Sequence, residues 1–300
     1  MARPPSPWKL GGLSLAELAR RVWYEFEKDE ILDRSAALSY YFIFAFFPTL
    51  LFLAALLGLL PSEQLMDRLL EYLGHALPPD AASVVGKTLG EVLRGARGSL
   101  LSVGVLAALW AASNGMGSIM TALNAVYDVT DTRPWWKGRL IAVGLTVAFA
   151  LFTLTALVLL VVGPRIAETL AAAIGLGPAF TFVWNVLRWP VAVVMVLIGV
   201  ELVYYLAPHI KRRWMWITPG SAFAVAAWLA ASAGLQFYVT RFANYNATYG
   251  SIGGAILFLL WLYLTGLALL VGAEINSEIS RAVEERSRAR QEPRVTEKAA

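Results

Sequence analysis

Six long apolar stretches constrain the fold of this chain more than any other feature. Each is close to the roughly 20 residues that an α-helix needs to cross a bilayer. They are separated by polar connections and cover residues 35–60, 99–123, 140–162, 180–206, 217–239 and 252–273. The sequence therefore predicts an all-α integral membrane protein, folded as a six-transmembrane-helix bundle.

The composition agrees with this class. Of the 300 residues, 58% are hydrophobic and 15% are charged, whereas a soluble domain has roughly 25% charged residues. A soluble chain of this size would have too little polar surface to cover its core. Cysteine is absent, which excludes a disulfide framework, a thiolate metal site and a cysteine nucleophile.

Two parts of this layout stay open at the level of sequence. The stretch 180–206 is interrupted by Arg188-Trp189-Pro190, so it is either one long kinked helix or a surface segment followed by a short span from Val191. The connection 61–98 carries two amphipathic patterns, which predict two short helices on the outer surface. Whether they enter the membrane is undecided.

Lysine and arginine predict the orientation, because these residues accumulate on the cytoplasmic side. One set of connections holds 18 of them (1–34, 122–139, 207–216 and 276–300), and the other holds six (61–98, 163–179 and 240–251). Both termini are therefore expected in the cytoplasm. No basic-then-apolar signal peptide precedes the first stretch, which we expect to be retained.

The N-terminal segment, residues 1–34, contains a predicted amphipathic helix. Ser14 and Glu17 have the spacing of a capping box, and an apolar stripe follows at helical intervals. We expect this helix to lie on the inner membrane surface; a partner-binding helix is the alternative. Residues 276–300 form a charged cytoplasmic tail.

Small residues at intervals of four predict close helix packing. Gly250 and Gly254 open the last stretch within NATYGSIGG, and Gly104, Ala108 and Ala112 repeat the spacing in the second. A phosphate-binding loop is disfavoured because no strand precedes these glycines. Glycosylation of Asn246 would need a secretory pathway that nothing here indicates.

Polar residues within the apolar stretches are the candidate pathway residues, because charge inside a bilayer is costly. Glu201 lies about five residues from the inner end of its stretch, and we expect it either to face the bundle interior or to extend to the inner surface. Arg188 is expected to reach the outer interface, and Asn114 to bond a neighbouring helix. His75 and His209 fall on opposite sides, so neither a metal nor another cofactor is expected.

Four segments together resemble the YihY/BrkB family of bacterial inner-membrane proteins. They are SAALSYYFIFAFFPTLL, LWAASNGMGSIMTALNAVYDVTDTRPWWKGRL, YYLAPHIKRRWMWITPGSAFA and YNATYGSIGGAILFLLWLYLTGLALLVGAEINSEI. The resemblance covers about residues 14–280 and implies six spans and a location in the cytoplasmic (inner) membrane. Family members were once labelled ribonucleases, a misassignment, and some are associated with virulence or envelope phenotypes.

The positions that match the family pattern imply structural or pathway roles and no catalysis. They are Tyr40, Pro48, Asn124, Arg133, Pro208, Tyr249, Gly250, Trp261, Tyr263, Gly272 and Glu274.

Three functions remain at this stage. The first is a transporter or translocator of an anionic lipid or small solute, with Glu201, Asn114, Asn124, Arg133 and Arg188 along its pathway. Its cytoplasmic mouth would be ringed by cations: Arg133, Lys137, Lys211, Arg212 and Arg213. The alternative is a non-transporting membrane scaffold or envelope-assembly factor. An intramembrane enzyme comes third, and no enzymatic activity is expected.

The expected partners are membrane lipids and no nucleic acid, and a homo-oligomer is left open.

Overall fold

Helices make up the regular structure of the part of the chain that the structure describes. A computed structural model describes residues 7–58, 99–161, 163–174, 178–210, 214–242 and 245–299. After a short 3-10 helix, Pro7–Gly12, the elements are α1 (Leu15–Lys28), α2 (Ile31–Gly58), α3 (Ser99–Val126), α4 (Trp135–Val161), α5 (Gly163–Ile174), α6 (Pro178–Leu206), α7 (Pro219–Phe242) and α8 (Tyr245–Ala299). No strand occurs within these ranges. The prediction of an all-α protein is confirmed.

Five of these helices are long and apolar enough to cross a membrane. The qualifying segments are Val105–Val126, Trp135–Leu160, Ala179–Leu206, Pro219–Arg241 and Gly253–Ala289, and each overlaps one predicted stretch. The remaining stretch, 35–60, falls mainly within α2, which is not among the five, and ends outside the described residues. The number of six spans stays a prediction. The helices predicted in 61–98 lie outside the described residues.

The structure decides between the two alternatives left open for 180–206 and adds one helix, α5. α6 runs without interruption through Pro190, so 180–206 forms one helix rather than a surface segment and a short span. Proline cannot donate a backbone hydrogen bond, but a helix tolerates it where neighbouring groups compensate.

α5, which packs against α6, was not predicted. Its buried Ala167 and Ala171 lie four residues apart on one helical face.

The main core lies at the end of the bundle that carries α1, the connection between α3 and α4, and the start of α7. We call this the α1 end. α2 packs between α3 and α8, and α7 packs along α8. The buried side chains of this core come from six helices and include Ile31, Leu38, Met116, Leu123, Leu145, Tyr204, Ala224 and Leu270. A smaller cluster of Phe52, Ala108 and Ala150 continues the packing away from the α1 end.

Close approach of helices at glycines occurs between α7 and α8, away from the predicted motif. A Cβ on Gly272 would lie 2.5 Å from the carbonyl oxygen of Gly220, too close for any side chain. A Cβ on Gly254 would meet no described atom within 4 Å, so the predicted contact is not found there. Gly250 and Gly104 fall outside the residues whose surroundings are described. Ala108 and Ala112 are buried on α3.

α8 does not end where the apolar stretch ends. It continues from Tyr245 to Ala299 as one helix, so most of the predicted tail extends the last apolar helix. α1 packs against this extension. Ser14 caps α1 by accepting the backbone N–H of Glu17 at 3.2 Å, and Leu18 on the predicted stripe is buried. The membrane-surface position of α1 stays a prediction.

Candidate functional site

Glu201 belongs to a closed network at the start of α7. Its side chain is 1% exposed, and its carboxylate accepts a hydrogen bond from the Thr218 hydroxyl at 2.6 Å. Thr218 and Ser221 cap the first turn of α7 reciprocally, because each side chain accepts the other residue's backbone N–H. Of the two positions expected for Glu201, the structure therefore shows the interior one.

Asn276 joins this network from α8. Its side-chain amide donates to the Thr218 hydroxyl at 2.8 Å and accepts the backbone N–H of Gly220 at 2.9 Å. One turn away, the Tyr204 hydroxyl donates to the carbonyl of Leu269. Backbone N–H groups at a helix start have no partner within their own helix, so these side chains supply the partners and lock α6, α7 and α8 together.

A second network holds the connection between α3 and α4. Buried Asn124 donates to the Asp131 carboxylate at 3.2 Å and accepts the backbone N–H of His209 at 2.7 Å. Arg133 chelates Asp131 and also donates to the carbonyl of Ala207, after the end of α6. The Arg133 guanidinium lowers the pKa of Asp131 to about 2.

This network changes the interpretation of the cationic mouth. Arg133 neutralises a carboxylate and binds the carbonyls that follow α6, so it is not a free cation. Lys137 is exposed and lies over the Trp136 ring, 5.3 Å from its centroid. Lys211, Arg212 and Arg213 lie outside the described residues. On the other side of the bundle, Arg188 donates to the carbonyl of Leu160 near the end of α4.

An acidic cluster joins α1 to α8. Glu25, Asp29, Glu274 and Glu278 are all buried. Arg281 contacts the carboxylates of Glu25 at 3.1 Å and Glu278 at 2.8 Å. Asp29 and Glu274 lie close to each other in this cluster, and burial raises the pKa of Asp29. From the sequence, Glu274 is a matching family position and is expected, with Glu278, to end the last helix. That expectation is wrong, because α8 continues to Ala299, and the cluster was not predicted.

A groove between α2 and α3 forms a cavity in the described part of the chain. It has a volume of about 640 Å³. Tyr40, Tyr41 and Phe44 on its α2 wall are exposed, so the groove opens sideways, away from the bundle interior. Its lining comprises Arg34, Ala37, Leu38, Tyr40, Tyr41, Phe44, Ala45, Ala111, Asn114, Gly117, Ser118, Thr121, Ala122 and Arg139. Glu201 is not part of it.

Arg139 is the charged group that is built into this groove. It donates to the Asn114 side-chain oxygen at 2.7 Å and to the carbonyl of Trp110 at 2.6 Å. Its guanidinium stacks on the Trp110 ring, 3.7 Å from the centroid. Asn114 thus bonds a neighbouring helix, as predicted. Arg139 was counted only as a positive residue of its connection, since nothing in the local sequence shows that it reaches α3.

No group of three or more His, Cys, Asp or Glu residues in the described ranges could hold a metal ion. His209 binds the backbone N–H of Thr132 through its Nδ1 atom at 3.3 Å, and His75 lies outside those ranges.

Comparisons with known proteins place most of the chain in one family. The family model described as Virulence factor BrkB matches residues 22–297. The chain is 39% identical over 245 residues to the ribonuclease-like protein YfkH of Bacillus subtilis, which covers 82% of this chain and 88% of that protein. A UPF0761 membrane protein of Stenotrophomonas maltophilia is 24% identical over 270 residues, 87% of this chain and 60% of the relative. A UPF0761 membrane protein of Xanthomonas campestris is 26% identical over 273 residues, 88% and 61%. No solved structure matches.

Proposed function

The chain belongs to the Virulence factor BrkB family of membrane proteins, and we propose that it moves an anionic lipid or small anionic solute across the membrane. One observation carries this proposal: a groove of about 640 Å³ opens sideways between α2 and α3, and its lining includes two arginines. An amphiphile can enter such a groove from the bilayer without leaving the membrane. We place the protein in the inner membrane with both termini in the cytoplasm, on the strength of the charge distribution.

Polar groups along α3 support a pathway through the groove. Asn114, Ser118 and Thr121 follow one another at helical intervals of four and three residues, so they form a stripe on one face, and all three line the groove. Asn114 and Thr121 are exposed. A polar stripe on the outside of a membrane helix is unfavourable against lipid tails, whereas a headgroup that passes along it finds hydrogen-bonding partners.

Glu201 enters this proposal as a positioning residue. It lies outside the groove, and its bond to Thr218 holds the start of α7. Proton-coupled movement through Glu201 remains the alternative mechanism. Glu201→Gln separates the two: the positioning role predicts a less stable protein that still transports, and the proton role predicts a stable protein whose transport no longer responds to pH.

A plug in the groove tests the function. Gly117 lines the groove, and a Cβ there would meet no described atom within 4 Å. Gly117→Leu should therefore fold and fill the passage. Gly144→Leu on α4 is the matched control, because Gly144 has the same open surroundings and is absent from the groove lining.

The measurement uses proteoliposomes. Fluorescent phosphatidylglycerol that reaches the outer leaflet is bleached by dithionite, and entrapped anions are followed in parallel. We expect the wild-type protein and Gly144→Leu to accelerate movement over protein-free vesicles, and Gly117→Leu to slow it by at least half. Movement by none of the three would refute transport.

The second candidate is a non-transporting scaffold, and the closed Glu201 network favours it. Polar side chains that are fully used in bonding between helices are what a rigid scaffold needs. This function predicts that the gene for Gly117→Leu complements a deletion strain as well as the wild-type gene does. We propose a non-enzymatic role in either case, and we do not extend the ribonuclease-like name of the Bacillus subtilis relative to this chain.

A further inference from the structure

We propose that the groove between α2 and α3 binds the phosphate of a net-anionic phospholipid between Arg34 and Arg139. The inference deepens the transport function proposed above and rests on it for its biological meaning. The binding site itself can be tested separately.

Charge pairing separates these two arginines from three other arginines at the α1 end. Arg21, Arg133 and Arg281 each contact at least one carboxylate within 4 Å. Within the described residues, Arg34 and Arg139 take part in no ion pair, and both line the same groove. The Arg34 side chain donates to the backbone carbonyl of Asp29 at 2.7 Å. Two guanidinium groups that face one cavity without a carboxylate form a site for an anion.

Arg139 is fixed in place before any ligand binds. Asn114 and the carbonyl of Trp110 each take one N–H group, and the Trp110 ring supports the guanidinium plane. Arginine has five N–H donors, so donors remain for an acceptor that the described chain does not supply. A group that is already ordered loses little entropy on binding. Arginine is also suited to phosphate, because its planar fork donates two parallel hydrogen bonds.

The position of the groove favours a lipid over a free ion. Asn114, which holds Arg139, lies near the middle of the Val105–Val126 segment, about 14 Å from one end at 1.5 Å per residue. Arg34 lies one turn inside the start of α2. A headgroup that enters the groove beside Arg34 can therefore place its phosphate between the two arginines. Exposed Tyr40 and Phe44 provide an apolar wall along which acyl chains can lie.

The test is lipid binding by the purified full-length protein. Native mass spectrometry counts lipid adducts during titration with phosphatidylglycerol or phosphatidylcholine in detergent. The variants are Arg139→Gln and Arg34→Gln, with Arg288→Gln as the matched control, because Arg288 is exposed and remote from the groove lining. Thermal melting verifies that each variant folds. If Arg139→Gln does not fold, the outcome for Arg34→Gln decides.

We expect phosphatidylglycerol to bind more tightly than phosphatidylcholine. Each groove variant should weaken that preference by about fivefold, the equivalent of about 1 kcal/mol for one cation near a lipid surface. Arg288→Gln should bind as the wild-type protein does, and 10 mM inorganic phosphate should compete only weakly. Equal binding of both lipids, unchanged binding by folded groove variants, or complete displacement by phosphate would each overturn the inference.

The same preparations separate this inference from the proposed function. If the wild-type protein prefers phosphatidylglycerol but moves no lipid or anion in proteoliposomes, the site stands and transport fails. If the wild-type protein transports but folded Arg139→Gln and Arg34→Gln keep its full lipid preference, transport stands and the site is overturned.

Discussion

The contact between α7 and α8 allows a prediction about a single methyl group. Gly272→Ala adds a Cβ that would lie 2.5 Å from the Gly220 carbonyl oxygen, 2.5 Å from the Tyr204 hydroxyl and 2.7 Å from the Ala224 Cβ. None of these atoms can rotate away easily: one is backbone, one is a methyl without rotamers, and Tyr204 is held by its bond to the carbonyl of Leu269. The two helices must therefore separate.

The magnitude follows from the size of that separation. Comfortable contact distances are about 3.5 Å or more, so the helices must move apart by close to 1 Å. Overpacking of this kind costs about 1–3 kcal/mol. The movement also strains the bonds of Asn276 to Thr218 and Gly220, each worth about 1 kcal/mol. Alanine regains up to about 1 kcal/mol in helix propensity over glycine. We expect a net loss of about 2–3 kcal/mol.

Thermal unfolding in detergent, followed by circular dichroism, measures this effect. Gly254→Ala is the matched control on the same helix, because a Cβ there would meet no described atom within 4 Å; it should melt at or above the wild-type temperature. Ala224→Gly in the Gly272→Ala background should recover part of the loss by removing one of the three contacts. If Gly272→Ala melts like the wild-type protein, or if Gly254→Ala loses as much stability as Gly272→Ala, the close-approach argument is refuted.

Three further predictions concern charge and topology. Arg281→Gln removes a counter-ion from buried Glu25 and should destabilise the protein by about 3 kcal/mol, the range for breaking a buried pair, as measured by the same melting assay. Asp29→Asn should raise the melting temperature at pH 8, and this gain should vanish towards pH 4. The reason is that burial raises the pKa of Asp29 above its ordinary 3.8, so ionisation of Asp29 at high pH opposes folding. A gain in melting temperature that is the same at every pH would contradict this. A single cysteine at Ser287 should react with an impermeant maleimide only after the cells are permeabilised, and one at Ala247 should react in intact cells; the reverse pattern would contradict the predicted orientation.

The sequence predicted the helices well because hydropathy is a local property. Five of the six stretches coincide with helices long enough to span a membrane. The prediction was less accurate where polar residues continue a helix. Beyond residue 273, α8 packs against α1, and Arg281 contacts Glu25 there. Partners that are distant in the chain cannot be read from the local pattern.

The candidate site was predicted in part for the same reason. Asn114, Asn124 and Glu201 were singled out as polar residues within or beside apolar stretches, and the structure shows each of them bonded to another segment. Their bonding partners could not be predicted, because they come from other helices. Arg139 was missed because an arginine five residues into a helix resembles an interfacial anchor until the neighbouring helix is in place.

The charged residues of the α1 end divide into two sets with different physical roles. Arg133 and Arg281 are opposed by carboxylates, so their fields are largely cancelled and their removal should affect stability. Arg34 and Arg139 line the groove, whose described lining contains no carboxylate. Their positive charges can therefore attract an anion that enters the groove. A protein that needed these arginines only for folding would gain by pairing them, because an unpaired charge at membrane depth is costly. Binding of an anionic headgroup offsets that free-energy cost. The groove, rather than the network around Glu201, is therefore the stronger candidate for the functional site.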